Sequence, residues 1–213
     1  MSSSNAKNTI DIKRSIRDAA SQGTGTAEDR ERELIRHAER EGLLDVAYTE
    51  VDTPVGQLVL AATSRGLVRI TFPVETTDAV LEQLSASVSP RILESPARLD
   101  DARRELDRYF EGKLQKFSLP LDWQLTRGFY RKVLRATARI PYGKTRSYTD
   151  IANKAGSPRA VRATGTALGS NPLPIVVPCH RVLRSGGALG GYGGGLEVKQ
   201  TLLELEGAIG QDG

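Results

Sequence analysis

The chain has 213 residues, 38% hydrophobic and 26% charged, which is enough to bury an ordinary core as one large domain or two small ones. Its single cysteine excludes an internal disulfide and, beside only two histidines, leaves few ligands for zinc, so no metal or other cofactor is expected and a reducing, intracellular setting is favoured. The opening MSSSNAKNTIDIKRS lacks an apolar stretch of signal-peptide length and no later window approaches a membrane span, which predicts a soluble cytoplasmic protein.

The net charge of +4 conceals an asymmetry. Residues 1–126 carry 17 Lys+Arg against 21 Asp+Glu, a balance of −4, whereas residues 127–213 carry 13 against 5, a balance of +8. A basic C-terminal part suits a polyanionic partner, most simply nucleic acid, although charge that serves only solubility gives the same count.

In chain order, residues 1–27 are Ser, Asn, Gly and charge without apolar period, and disorder is expected there. A helix follows from about Glu28 to Glu41, with Leu34, Ile35 and Ala38 as a narrow apolar stripe and Gly42 as its stop; His37 on it reads as a packing or solvent-facing residue. From Asp45 the pattern becomes YTEVDTPVGQLVLAATSRGLVRITF, runs of Val, Leu and Ile punctuated by Thr53-Pro54-Val55-Gly56 and Ser64-Arg65-Gly66, which predicts a meander of short strands. Asp78–Ser85 and Ala97–Phe110 read as helices, the second with Leu99, Ala102, Leu106, Tyr109 and Phe110 at helical spacing before Gly112.

The remainder reads as mostly helical. Arg127–Ala138 is amphipathic, and Ser147 with Asp150 three residues on approximates a capping box for a helix that closes at Gly156. Ser157-Pro158 predicts a new start, with Ser as N-cap and Pro in the first turn, for a helix running from Arg159 to Leu168 with Gly169 as stop. Two short helices joined by a tight turn match a helix-turn-helix, and an ordinary helical hairpin has the same pattern. The second helix carries Arg159, Arg162, Ala163 and Gly165, a basic and thin face that can approach a phosphate backbone or a narrow groove closely.

The chemistry concentrates in Pro178-Cys179-His180-Arg181-Val182. A free thiol titrates near pH ~8.5 and the thiolate is the nucleophile, so an adjacent imidazole that removes the proton, directly or through a water, points to nucleophilic catalysis. As a bare dipeptide the pair also fits a small buried hydrophobe beside a structural histidine.

The succession PYGKTRSY, SPRAVRATGTALGSNPLPIVVPCHRVL and GGYGGGLEVKQTLLELEG resembles the O6-alkylguanine-DNA alkyltransferases, the methylated-DNA–protein-cysteine methyltransferases, over about residues 45–207. The elements read along the chain, taken with the resemblance, predict an α+β fold with three parts. Residues 1–44 form an extension, 45–120 a small domain of strand meander and helices, and 121–213 a mostly helical DNA-binding and alkyl-acceptor domain with a helix-turn-helix. The resemblance also implies a monomer that acts on double-stranded DNA, extrudes O6-alkylguanine, with O4-alkylthymine as a second candidate, and moves the alkyl group irreversibly onto Cys179.

Residue by residue, the resemblance makes His180 the base acting through a water, Glu206 its orienter, and Asn171 the brace of the active-site turn. Tyr148 would crowd the target phosphate and then bond the flipped base, and Arg162 would fill the gap left in the stack. Arg159, Ala163 and Arg181 would complete the DNA contacts, and Pro174, Tyr192, Gly193 and the backbone of Val182 would line the base pocket. Apart from the resemblance, Glu206 reads as an exposed acid on the last helix, Asn171 as a plain turn residue, and Lys199 as surface more than site. Zinc, held by some members through cysteines and histidines, is not carried over. Gly193 stands where some members have serine, which puts a side-chain contact to O6 in doubt and predicts room for an O6-benzyl group. Two other readings stay open, a damage sensor without chemistry and a Cys-His hydrolase working through a thioester.

Overall fold

The computed structural model describes residues 26, 29, 30, 33, 36–38 and 41–210, and divides into two units, Met1–Asp45 and Val46–Gly213. In the first, residues 29, 30, 33 and 36–38 are helical. Thr26 and Asp29 exchange hydrogen bonds, the Thr26 hydroxyl accepting from Asp29 N (3.2 Å) and the Asp29 carboxylate from Thr26 N (3.1 Å), the reciprocal pattern of a helix cap. Leu34 and Ile35 of the expected stripe, and the expected disorder of 1–25, lie outside the described residues.

The second unit opens with the expected meander, β1 (Val46–Val51), β2 (Leu58–Thr63) and β3 (Gly66–Thr71), in antiparallel register. A short β4 (Ile92–Glu94) adds itself parallel to β1, giving the order β3-β2-β1-β4. Three residues with no alternating pattern gave no sign of that strand. Helix α1 (Thr77–Ser87) is capped by Thr76, whose hydroxyl accepts from Ala79 N. The expected 97–110 helix is a 3-10 turn (Pro96–Leu99) leading into α2 (Asp100–Phe110).

The far edge of β3 is covered by the segment entering the C-terminal half: Leu67 N donates to Pro120 O (2.9 Å) and Asp122 N to Leu67 O (2.8 Å). That approach requires Gly66, which sits at φ +126°, where a Cβ would lie 2.2 Å from Pro120 O. The Asp122 carboxylate, itself buried, then accepts from the Thr63 hydroxyl (2.6 Å) and Arg65 Nε (3.1 Å).

The C-terminal half holds α3 (Gly128–Thr137), β5 (Arg146–Ser147), α4 (Tyr148–Lys154), α5 (Val161–Gly169), β6 (Val182–Leu183) and α6 (Leu196–Leu205). The capping box at Ser147 and Asp150 forms as expected, and α4 and α5 pack as the two helices of a helix-turn-helix. Two expectations need correction. Helix α5 begins at Val161 with Ala160 as N-cap, because residues 157–160 close a separate turn (Ala160 N to Ser157 O, 2.9 Å), so Arg159 precedes the helix. Gly169 belongs to the helix, which is capped at Ser170. The two-stranded parallel pair of β5 and β6, too short to leave a pattern in sequence, ties the start of α4 to the chain just after Cys179.

One apolar cluster joins both halves of this unit, with Leu58, Leu60, Phe72, Leu106 and Tyr109 packed in it along with Val133, Ile151, Ala167, Val177 and Leu202. Gly66→Ala is expected to lower unfolding free energy by at least about 2 kcal/mol through combined backbone strain and collision. Gly112→Ala, at φ +70° with nothing within 4 Å of the new Cβ, should cost less in the same urea titration.

Candidate active site

The thiol is presented by a tightly wound segment. Val176 N donates to Pro174 O (2.9 Å) around Ile175, the one non-glycine described residue at positive φ (+71°), which makes a γ-turn of the rare, strained hand. Such a conformation costs on the order of 1–3 kcal/mol. Full burial of the Ile175 side chain, 1% exposed, offsets a similar amount, roughly 1.5–3 kcal/mol. A second three-residue turn, Cys179 N to Val177 O (2.8 Å) around Pro178, delivers the cysteine. Asn171 braces both: its Oδ1 accepts from Leu173 N (3.0 Å), and its Nδ2 donates to Val177 O (2.8 Å) and to Cys179 Sγ (3.1 Å). Asn171 is therefore no plain turn residue.

Cys179 is buried, and that burial pushes its thiol above the ordinary value, with the Asn171 hydrogen bond and the Lys199 charge pulling the other way. At rest the sulfur carries its proton, so a base is needed. His180 follows directly and is wholly buried, which holds its imidazole below the usual value and hence neutral at pH 7. Its Nε2 lies 2.8 Å from Glu206 Oε1.

Glu206, the C-cap of α6, is not an exposed acid. It is buried and accepts from His180, from Arg181 Nε (2.7 Å) and Nη2 (2.8 Å), and from the Tyr109 hydroxyl (2.7 Å). Burial by itself would raise this carboxyl, but the hydrogen bonds and charges of His180 and Arg181 hold it at about 2. An anionic Glu206 fixes the histidine tautomer: Nε2 must be the donor, which leaves the lone pair on Nδ1, an atom without a protein partner. The contact is thus a hydrogen bond from a neutral imidazole and not an ion pair.

Arg181, expected at the DNA, is corrected by the same geometry. It is 5% exposed, and Glu206 and the Ile140 carbonyl (2.6 Å) occupy its guanidinium. Lys199, expected more at the surface, is fully buried, its Nζ donating to Val182 O (2.7 Å) and Gly190 O (3.3 Å); burial lowers it to about 8. It joins β6 to the loop before α6. Against that loop lies Tyr148, whose ring leaves no space for a Cβ at Gly190, only 2.3 Å from the phenolic oxygen.

Beside Cys179 opens a cavity of about 330 Å³ whose lining includes Asn171, Pro172, Pro174, Tyr192 and Gly193. Gly193 has nothing within 4 Å of a notional Cβ, in keeping with an open wall there. Tyr192 packs edge-on against His180 (6.4 Å) and Phe72 (5.5 Å), and Gly194 lets the Phe72 ring approach to where a Cβ would be 2.9 Å away. Val182 is buried and is not among the residues lining this cavity; its carbonyl already accepts from Lys199. Arg162 and Arg159 are exposed, Arg162 on α5 and Arg159 in the preceding turn, with Ala163 half-buried on α5. Gly165 faces inward, its notional Cβ 3.8 Å from the Tyr148 ring, and so leaves the expected outward face.

Sequence reasoning missed Tyr109 and Phe72, because each reads as an apolar position. The signal for Tyr109 was its phenol: at a core register of α2 a hydroxyl needs a buried partner. Among the described residues no three His, Cys, Asp or Glu side chains converge on one point.

Fold and site together define a helix-turn-helix protein that carries a buried thiol nucleophile. Known proteins narrow that class. Residues 46–123 match the 6-O-methylguanine DNA methyltransferase ribonuclease-like domain, and residues 128–208 match the DNA binding domain of the same proteins. The methylated-DNA–protein-cysteine methyltransferase of Mycolicibacterium paratuberculosis is 44% identical over 161 residues, 76% of this chain and 92% of the relative. The constitutive enzyme of that name from Bacillus subtilis is 42% identical over 75% of this chain and 94% of its own. Among solved structures, Mycobacterium tuberculosis OGT in complex with DNA superposes with a TM-score of 0.65 at 39% identity, over 76% of this chain and 93% of that one. The chain belongs to the methylated-DNA–protein-cysteine methyltransferase family.

The Glu206 carboxyl gives a pH prediction with a definite sign. Its folded value of about 2 lies below the ordinary 4.5, so its stabilisation is complete above about pH 4.5 and is lost as the pH falls toward 2. Glu206→Gln should cost roughly 3 kcal/mol at neutral pH and flatten the stability profile across that acid window, as followed by urea unfolding.

Proposed function

We propose that this protein repairs DNA by taking the alkyl group of an O6-alkylguanine onto its own Cys179, once per molecule. The observation that carries the reading is the buried Cys179 sulfur at the wall of a cavity, held by Asn171 and followed by a neutral histidine whose tautomer a carboxylate sets.

His180 Nδ1 receives the thiol proton through one water, and the developing imidazolium is stabilised by Glu206. The sulfur forms a bond to the alkyl carbon as the carbon–O6 bond breaks, and the electron pair leaves with guanine. The proton taken from the thiol returns to the departing base, so the sum is thiol plus alkylguanine giving thioether plus guanine. A thioether offers water no leaving group, and the protein ends there. Tyr109 acts as a positioning residue, reaching from α2 to share Glu206 Oε1 with the imidazole.

Pro174, Tyr192 and Gly193 receive the flipped base. Exposed Arg162 and Arg159, with Ala163 between close backbones, dock the helix-turn-helix on duplex DNA, and Tyr148 at the start of α4 meets the target nucleotide. Residues 45–120 then act as the supporting part and 121–213 as the DNA-binding and acceptor part. The exposed basic residues of the latter account for its charge excess.

Intact-mass measurement after incubation with a duplex containing O6-methylguanine tests this reading. One methyl group per chain, located at Cys179 and absent in Cys179→Ser, is the expected result. More than one guanine released per chain would mean turnover and a hydrolase-like thiol; tight binding with unchanged mass would mean a damage sensor.

A further inference from the structure

The cavity beside Cys179 does not end at the residues that receive the base. Its lining continues onto the N-terminal part of the unit, through Phe72 to Arg69, Thr71, Glu75 and Gln83. These four form one hydrogen-bonded group. Arg69 Nη2 reaches both Glu75 oxygens (3.2 Å each), Arg69 Nε donates to the Thr71 hydroxyl (3.1 Å), and Gln83 Nε2 donates to Glu75 Oε2 (2.9 Å). The ion pair is largely shielded, with side-chain exposures of 20% and 34%, so its geometry is better held than that of a surface pair.

This wall is fixed relative to the thiol. Ile70 N, between Arg69 and Thr71, donates to Pro172 O (2.8 Å), one residue from the Asn171 that touches the sulfur. Phe72 is seated edge-on against Tyr192 and over Gly194. Two independent attachments therefore hold β3 against the active-site segment. The flipped base and its adduct share a cavity of about 330 Å³, and the lining on the side away from Tyr192 and Gly193 is polar.

We propose that the Arg69–Glu75–Gln83 wall is a subsite for the far end of O6 adducts longer than methyl that terminate in an uncharged hydrogen-bonding group, such as a hydroxyalkyl chain. The inference rests on the alkyl-transfer reading above. The charge logic selects a neutral group: a carboxylate would meet Glu75 and an ammonium would meet Arg69, while the mutual neutralisation of the two leaves no net field. The bonds named above leave Arg69 Nη1 as a donor and Gln83 Oε1 as an acceptor, which suits a hydroxyl that does both. A purely apolar chain of the same length fills the volume without those bonds.

The test uses the full chain and three duplexes bearing O6-methylguanine, O6-butylguanine or O6-(4-hydroxybutyl)guanine, and reads the second-order rate of Cys179 alkylation for each. The double variant Arg69→Leu/Glu75→Leu removes both charges together, so neither is left unpaired. The hydroxybutyl-to-butyl rate ratio is expected to fall about fivefold in the double variant, the worth of one hydrogen bond. Gln83→Met, on the exposed side of α1, should lower the same ratio by about half that factor, and keeps the test available if the double variant does not fold. An unchanged ratio in the variants that fold overturns the subsite. Failure of the wild-type chain to react with O6-methylguanine at all would instead overturn the alkyl-transfer reading, so the two failures are distinguishable.

Discussion

The Glu206 carboxylate is the interaction on which the site depends. Four hydrogen bonds converge on it, from an α2 tyrosine, from the two residues that follow the nucleophile, and with Arg181 contributing twice. A buried carboxylate with fewer partners would take up a proton or leave the interior. With them it remains charged, anchors the end of α6, connects both halves of the unit, and decides which nitrogen of His180 carries hydrogen. Tertiary packing and the histidine's protonation are therefore one arrangement: whatever loosens the α2–α6 contact also loosens the imidazole.

A second constraint lies in the segment from Asn171 to Cys179. Two successive three-residue turns, one of the strained hand at a β-branched residue, place a sulfur where an α-helix or a strand would not. The strain is held by the burial of Ile175 and by three hydrogen bonds of a single amide side chain. The result is an unusual thiol, raised by burial and so unreactive until its proton is taken. That suits a protein with one chance to react, because a permanently ionised cysteine would be open to adventitious alkylation or oxidation. Lys199 adds a cation near the sulfur while joining Val182 to Gly190, the same loop region that seats Tyr148.

Much of this was legible in the sequence where the determinants are local. The Pro-Cys-His-Arg-Val run, the Ser147–Asp150 capping box, the turn signals of the meander and the pair of short helices each depend on residues a few positions apart. Determinants far apart in the chain were not legible. Tyr109 and Glu206 meet across 97 positions, and a tyrosine at a core register looks like packing. Arg181 reads as a phosphate contact because it is basic and follows the nucleophile, yet a buried acid 25 residues on claims it. Lys199 shows the same limit, since amphipathic spacing cannot reveal that two backbone carbonyls await an ammonium group in the interior. The late start of α5 had a readable cause: Ser157-Pro158 closes a turn of its own as readily as it opens a helix. Strands of two or three residues, β4 to β6, carry too few side chains to show alternation.

The central claim is that Glu206 fixes His180 as the base through its Nδ1. Long-range proton–nitrogen correlation spectra of the histidine rings, recorded on the unreacted protein at neutral pH and assigned with His180→Gln, observe that directly. The account predicts a neutral ring protonated on Nε2 with an unprotonated Nδ1. A ring protonated on Nδ1, or a full imidazolium, would contradict it.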